Sequence, residues 1–197
     1  MKLTKRQRKQ LLTVIIGLLI LGIGFLSEQQ GWNLPLENQV HQVDQITAAG
    51  TYKVVRFDDG DTIMVEMDGK EETVRFIGVD TPEVKDPRKP VQCFGKAASA
   101  FTKQLIGEQS IRLEADPENT NRDRYNRLLR YVYLSDGTLV NAEIIKQGYG
   151  FAYVSFPFTK KEEFKAYETE ARQANRGLWG SCQLTPNEYG GFTPNAE

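Results

Sequence analysis

Histidine is almost absent from this chain: His41 is the only one in 197 residues. That excludes histidine-rich zinc centres and makes Ser-His or Cys-His catalysis improbable. Cysteine is nearly as scarce, with Cys93 and Cys182 alone. An excess of one charge is also missing, since 25 Lys and Arg face 26 Asp and Glu, so bulk positive charge does not announce a binding partner. Low complexity is absent too. With 40% hydrophobic and 26% charged residues the composition excludes collagen-like and wholly disordered chains and leaves room for one domain with a real core.

The near-neutral total hides an uneven distribution. Lys2, Lys5, Arg6, Arg8 and Lys9 make residues 1–10 a basic head, and the uncharged run 11–26 follows directly. As a helix that run spans about 24 Å, short of the roughly 30 Å hydrocarbon core. Two readings fit it, a secretory signal or an uncleaved anchor. No A-x-A site follows, because Gly24-Phe25-Leu26-Ser27 places bulky groups where small ones are wanted. The anchor reading is therefore favoured, with the basic head inside and the rest exported. Export makes Cys93 and Cys182 readable as a disulfide, the alternative being two unrelated thiols.

Residues 27–48 are rich in Gln and Asn without a sustained period and read as a linker. From residue 49 to 182 the pattern is that of a folded domain. Thr51–Phe57, Thr62–Met67 and Thr73–Val79 alternate as strands, and Met67-Asp68-Gly69-Lys70 is a two-residue hairpin turn. Met67 opposite Lys70 places Arg75 across from Thr62 and Phe76 across from Asp61, so Asp61 and Arg75 become neighbours. Gly95–Gly107 reads as a helix, 110–115 and 128–133 as two further strands, and 139–147 as a short helix. The last helix opens on Thr159-Lys160-Lys161-Glu162, which has capping-box form. Residues 183–197 show no periodicity and are expected to be a disordered tail. Five strands with a helix between the third and fourth is the order of an OB-type barrel. The expected fold is thus α+β with a mostly β core: a five-stranded OB-fold barrel with three helices.

Asp61, Asp80 and Glu83 fall close in sequence to Arg75, and the hairpin brings them closer. Aspartates at a turn are ordinary surface features, yet this set also suits chemistry. Hard divalent cations take oxygen ligands, and Asp61 and Asp80 with a backbone carbonyl can supply them while leaving water positions open. Glu83 could orient or deprotonate a water. Arginine forks suit the oxygens of a phosphoryl centre, and Arg75 and Arg127 are the candidates. The residues by themselves suggest metal-assisted phosphodiester hydrolysis.

Asp59-Gly60-Asp61-Thr62, the run from Val74 to Glu83, Gly95-Lys96-Ala97-Ala98, Asp123-Arg124-Tyr125-Asn126-Arg127 and Val140-Asn141 resemble, in order and spacing, the thermonuclease family typified by staphylococcal nuclease. The resemblance implies a calcium-dependent OB-fold nuclease, monomeric, cleaving DNA and RNA to leave 3'-phosphate ends. It implies calcium ligation by Asp61, Asp80 and the carbonyl oxygen of Thr81, catalytic roles for Arg75, Arg127 and Glu83, and nucleotide contacts by Tyr125 and Tyr153. Asn126 stands where glycine is common, a position that tolerates Asn if the backbone is left-handed. Ser155 replaces a second tyrosine. The competing class is a noncatalytic nucleic-acid or protein-binding module on the same barrel.

Overall fold

The computed structural model describes residues 50–87, 90–187 and 191–197. The basic head, the apolar run 11–26 and the linker 27–48 lie outside the described residues. Among the described residues no helix is long and apolar enough to cross a membrane.

Five strands close into a barrel: β1 (Gly50–Asp59), β2 (Thr62–Met67), β3 (Lys70–Phe76), β5 (Ile111–Glu114) and β6 (Leu128–Tyr133), in the order β1-β2-β3-β6-β5. All neighbours are antiparallel except β3 and β6, which run parallel. This is the expected OB-type barrel. Ile63, Val65, Val74, Phe76, Ile111 and Val132 point inward and are essentially inaccessible to water, as the period of two requires.

The β2–β3 hairpin has the register its turn predicts. Met67 pairs with Lys70 and Thr62 with Arg75, and the Phe76 N–H donates to the Asp61 carbonyl at 2.9 Å. The third strand begins and ends three residues earlier than its sequence suggests. It stops at Phe76 because Gly78 turns the chain at φ 72°, a conformation glycine adopts without steric cost. A Cβ there would also meet the Phe158 ring at 2.7 Å. The chain then resumes as β4 (Val79–Asp80), paired with β7 (Phe151–Ala152), and this redirection carries Asp80 beside Asp61.

Helices α1 (Gly95–Ile106), α2 (Val140–Lys146) and α3 (Lys161–Gln173) cover the barrel, with one further turn, α4 (Leu178–Ser181). Asn141 is buried at the start of α2 and links three elements: its Oδ1 accepts from the Val132 N–H at 2.9 Å, and its Nδ2 donates to the Ile77 carbonyl at 3.0 Å. The capping box expected at Thr159 does not form. Asp116 takes both the Thr159 N–H (2.8 Å) and its hydroxyl (2.6 Å), and the helix begins after Lys160 with no side-chain cap.

The tail departs most from expectation. Residues 183–197 were expected to lack structure, yet β8 (Leu184–Pro186) and β9 (Phe192–Pro194) form an antiparallel pair. Strands this short carry no readable period. What orders them is tertiary: Phe192 packs against Trp179 and Phe151, with ring centroids 5.3 and 6.3 Å away. Cys182, at the root of the tail, is bonded to Cys93.

Candidate active site

The site grows from the turn between β1 and β2. The Gly60 carbonyl accepts the Thr102 hydroxyl of α1 at 2.6 Å. A Cβ on Gly60 would sit 2.9 Å from the Thr81 methyl and 3.1 Å from the Ala98 backbone. This close approach seats the Asp59-Gly60-Asp61 turn on the helix and directs Asp61 inward, where it is 5% exposed.

A buried carboxylate needs donors, and Asp61 has four contacts. Oδ2 accepts the Thr81 N–H at 2.8 Å and its hydroxyl at 3.0 Å, and lies 3.2 Å from Arg75 Nη2. Oδ1 accepts the Thr62 hydroxyl at 2.9 Å. Arg75 Nη2 also donates to Asp80 Oδ1 at 3.1 Å, while its Nη1 donates to the Val79 carbonyl at 2.6 Å. One guanidinium nitrogen thus sits between two carboxylates, Asp61 from the β1–β2 turn and Asp80 from β4. Asp61, Arg75, Asp80 and Thr81 are brought together.

Negative charge at this corner is not fully answered. Asp59 Oδ1 is buried with no hydrogen-bond partner. Burial first, then the charges of Glu83 and Asp61, push the Asp59 pKa up to about 6. The donor set therefore suits a hard cation: two converging carboxylates, a neighbouring backbone carbonyl at Thr81 and an under-compensated acid beside them. Among the described residues no group of three His, Cys, Asp or Glu side chains could hold a metal ion by itself. Water and backbone oxygens would have to complete the shell.

Glu83 is anchored by its own loop. Its Oε1 accepts the N–H groups of Val84, Lys85 and Asp86 at 3.1, 2.9 and 3.0 Å.

Arg127 and Tyr125 occupy a second station. Asp123 Oδ2 lies 2.7 Å from both Nε and Nη2 of Arg127, and Arg127 packs over the Tyr125 ring at 5.4 Å. Asp123 is held below the ordinary carboxylate range: burial opposes this, but hydrogen bonds from Arg127 outweigh it. Asn126, at φ 65°, supplies the left-handed turn between them. The parallel pairing sets Arg75 beside Leu129, two residues along the chain from Arg127, which itself precedes the strand. Tyr125 is 64% exposed. Tyr153 donates its N–H to the Gly78 carbonyl at 2.9 Å and meets Phe156 edge-on at 5.6 Å. It lines a cavity of about 70 Å³ with Asp80, Ser155, Asn187 and Phe192.

Sequence reasoning assigned no role to Asp59, Asp123 or Gln92. Asp123 was findable, four residues before Arg127. Asp59 lay in plain view within the turn motif, but only burial reveals its missing partner. Gln92, whose Oε1 accepts the Glu83 N–H at 2.7 Å, carries no sequence signal.

Comparisons with known proteins give the family. Residues 73–181 match the family described as staphylococcal nuclease homologue. The thermonuclease of Staphylococcus hyicus is 37% identical over 173 residues, spanning 87% of this chain and 96% of that protein. The thermonuclease of Staphylococcus intermedius is 42% identical over 130 residues, 66% of this chain and 76% of that one. Endonuclease YncB of Bacillus subtilis is 41% identical over 131 residues, 66% of this chain and 61% of its own.

Proposed function

The chain belongs to the staphylococcal nuclease family and is a phosphodiesterase of the endonuclease type; from that premise we propose a calcium-dependent enzyme, exported and acting as a monomer. It cleaves DNA and RNA to leave 3'-phosphate ends. The observation that carries the reading is the Arg75 guanidinium held between Asp61 and Asp80 at 3.2 and 3.1 Å. A cation and a phosphate-binding fork are both wanted at such a point.

Asp61, Asp80 and the Thr81 carbonyl oxygen would hold the calcium ion. When bound, calcium supplies Lewis acidity toward a phosphoryl oxygen and a polarised water. Glu83, with Oε1 committed to three backbone N–H groups, has Oε2 to orient the attacking water and take its proton. Arg75 turns its fork from the carboxylates to the phosphoryl oxygens as these arrive. Arg127 leaves Asp123 to meet the same group, and the two guanidinium groups stabilise charge as it builds toward the departing 5'-oxygen. Tyr125 and Tyr153 offer ring faces on which a base stacks without being read. The segment 11–26 anchors the chain in a membrane with residues 1–10 inside, and the nuclease domain follows the linker 27–48.

The test compares wild type with Asp61→Ala on single-stranded DNA, with calcium and with excess chelator, and assays the product ends. Cleavage by wild type that chelator abolishes, with phosphate on the 3' ends, is expected. Equal, chelator-resistant cleavage by both proteins would sink the reading.

A further inference from the structure

Glu83 sits at one end of a loop whose other end is Gln92, and the two are joined in both directions. The Glu83 N–H donates to Gln92 Oε1 at 2.7 Å, and the Gln92 N–H donates to the Glu83 carbonyl at 2.9 Å. Gln92 is half-buried, and its amide oxygen is spent on the backbone of the residue that takes the proton in the mechanism above.

The far side of Gln92 is held by the other end of the chain. Gln92 bridges to Ala196, the Cys93 N–H donates to the Asn195 carbonyl at 2.7 Å, and the Glu197 N–H donates to the Val91 carbonyl at 2.9 Å. Lys96 Nζ reaches the Glu197 carboxylate at 2.6 Å. The tail is itself locked in this place. Asn195 and Gln183 are bonded reciprocally, each at 2.9 Å, next to the Cys93–Cys182 disulfide. The barrel core is complete without these contacts, and what they hold still is the short stretch from Val91 to Cys93.

We propose that Gln92 is a positioning residue for Glu83, and that the C-terminal tail, tethered through Cys93–Cys182, holds Gln92 in register. The proposal rests on the general-base role given to Glu83. A directional bond at the Glu83 backbone sets where its carboxylate begins, and a displacement of about 1 Å at a reacting group can cost on the order of 10²-fold in rate. The tail is thereby a working part of the site rather than an appendage.

The experiment is a double-mutant cycle in the full chain with saturating calcium and single-stranded DNA: wild type, Gln92→Leu, Glu83→Gln and the double variant. Gln92→Leu should lower kcat about tenfold with KM unchanged, and that factor should vanish in the Glu83→Gln background. Gln92→Glu, which keeps an acceptor for the Glu83 N–H, should restore kcat to within about threefold of wild type. The paired Cys93→Ala and Cys182→Ala variant should lower kcat in the same direction and speed exchange of the Glu83 amide proton. It replaces Gln92→Leu in the cycle if that variant does not fold. Wild-type kcat in Gln92→Leu, or the same loss in both backgrounds, would overturn the proposal while leaving Glu83 its role. Wild-type kcat in Glu83→Gln would instead remove the general-base reading, and this inference with it.

Discussion

Two buried aspartates meet burial in opposite ways. Asp116, 4% exposed, accepts the Tyr131 hydroxyl at 2.6 Å, the Thr159 hydroxyl at 2.6 Å, the Thr159 N–H at 2.8 Å and the Glu118 N–H at 2.8 Å. These are neutral donors on a single carboxylate. Asp61 is as deeply buried, but it shares Arg75 with Asp80, while Asp59 beside it has an oxygen with no partner at all. The first corner is fully satisfied and ties β6 to the entry of α3. The second keeps a buried Asp59 oxygen that no described group answers. A saturated carboxylate serves stability, whereas an under-compensated cluster is poised for a cation and a phosphate.

That contrast can be broken in order of effect. Arg75→Ala should lower kcat/KM for single-stranded DNA on the order of 10²–10³, whereas Asp116→Ala should leave activity per folded molecule intact. Equal losses in steady-state assays of the two variants would erase the distinction. Calcium at 100 times its Kd should stabilise the wild type by about 2.7 kcal/mol, read as a rise in Tm. The rise should disappear in Asp61→Ala and persist in Asp116→Ala.

Stability should respond the other way round. Asp116→Ala strands the Tyr131 and Thr159 donors and should cost about 2–3 kcal/mol, a fall in Tm of about 4–12 °C by calorimetry. Acid sharpens the point. Burial works to raise the Asp116 pKa, but bonds from Thr159 and Tyr131 outweigh it and hold the group below its ordinary value. Its charge therefore favours the folded state above about pH 4, and this contribution is lost as pH falls through the folded-state pKa. Urea melts in acid should show a steeper loss of stability in wild type than in Asp116→Ala. The smallest effect belongs to Thr159→Val, which removes one hydroxyl donor and should cost about 1 kcal/mol with no change in calcium response.

The parts of the site legible beforehand share one property, which is short range. A two-residue turn and strict alternation sufficed to set Arg75 against Thr62, and so beside Asp61. The aligned motifs then named Asp80 and Arg127, and the strand order named the barrel. The capping box at Thr159 misled because a carboxylate forty-three residues away competes for the same hydroxyl. Periodicity was silent on the tail, since strands of three residues with proline at their ends leave nothing to count.

Local stereochemistry, written into turn residues and the period of the strands, was thus enough to specify the barrel and the meeting of Asp61 with Arg75. It could not specify the unpartnered oxygen of Asp59, the grip of Asp123 on Arg127, or the tail folded back on Gln92. Each of those depends on which distant groups packing brings within hydrogen-bond reach, and on how much water it removes as it does so.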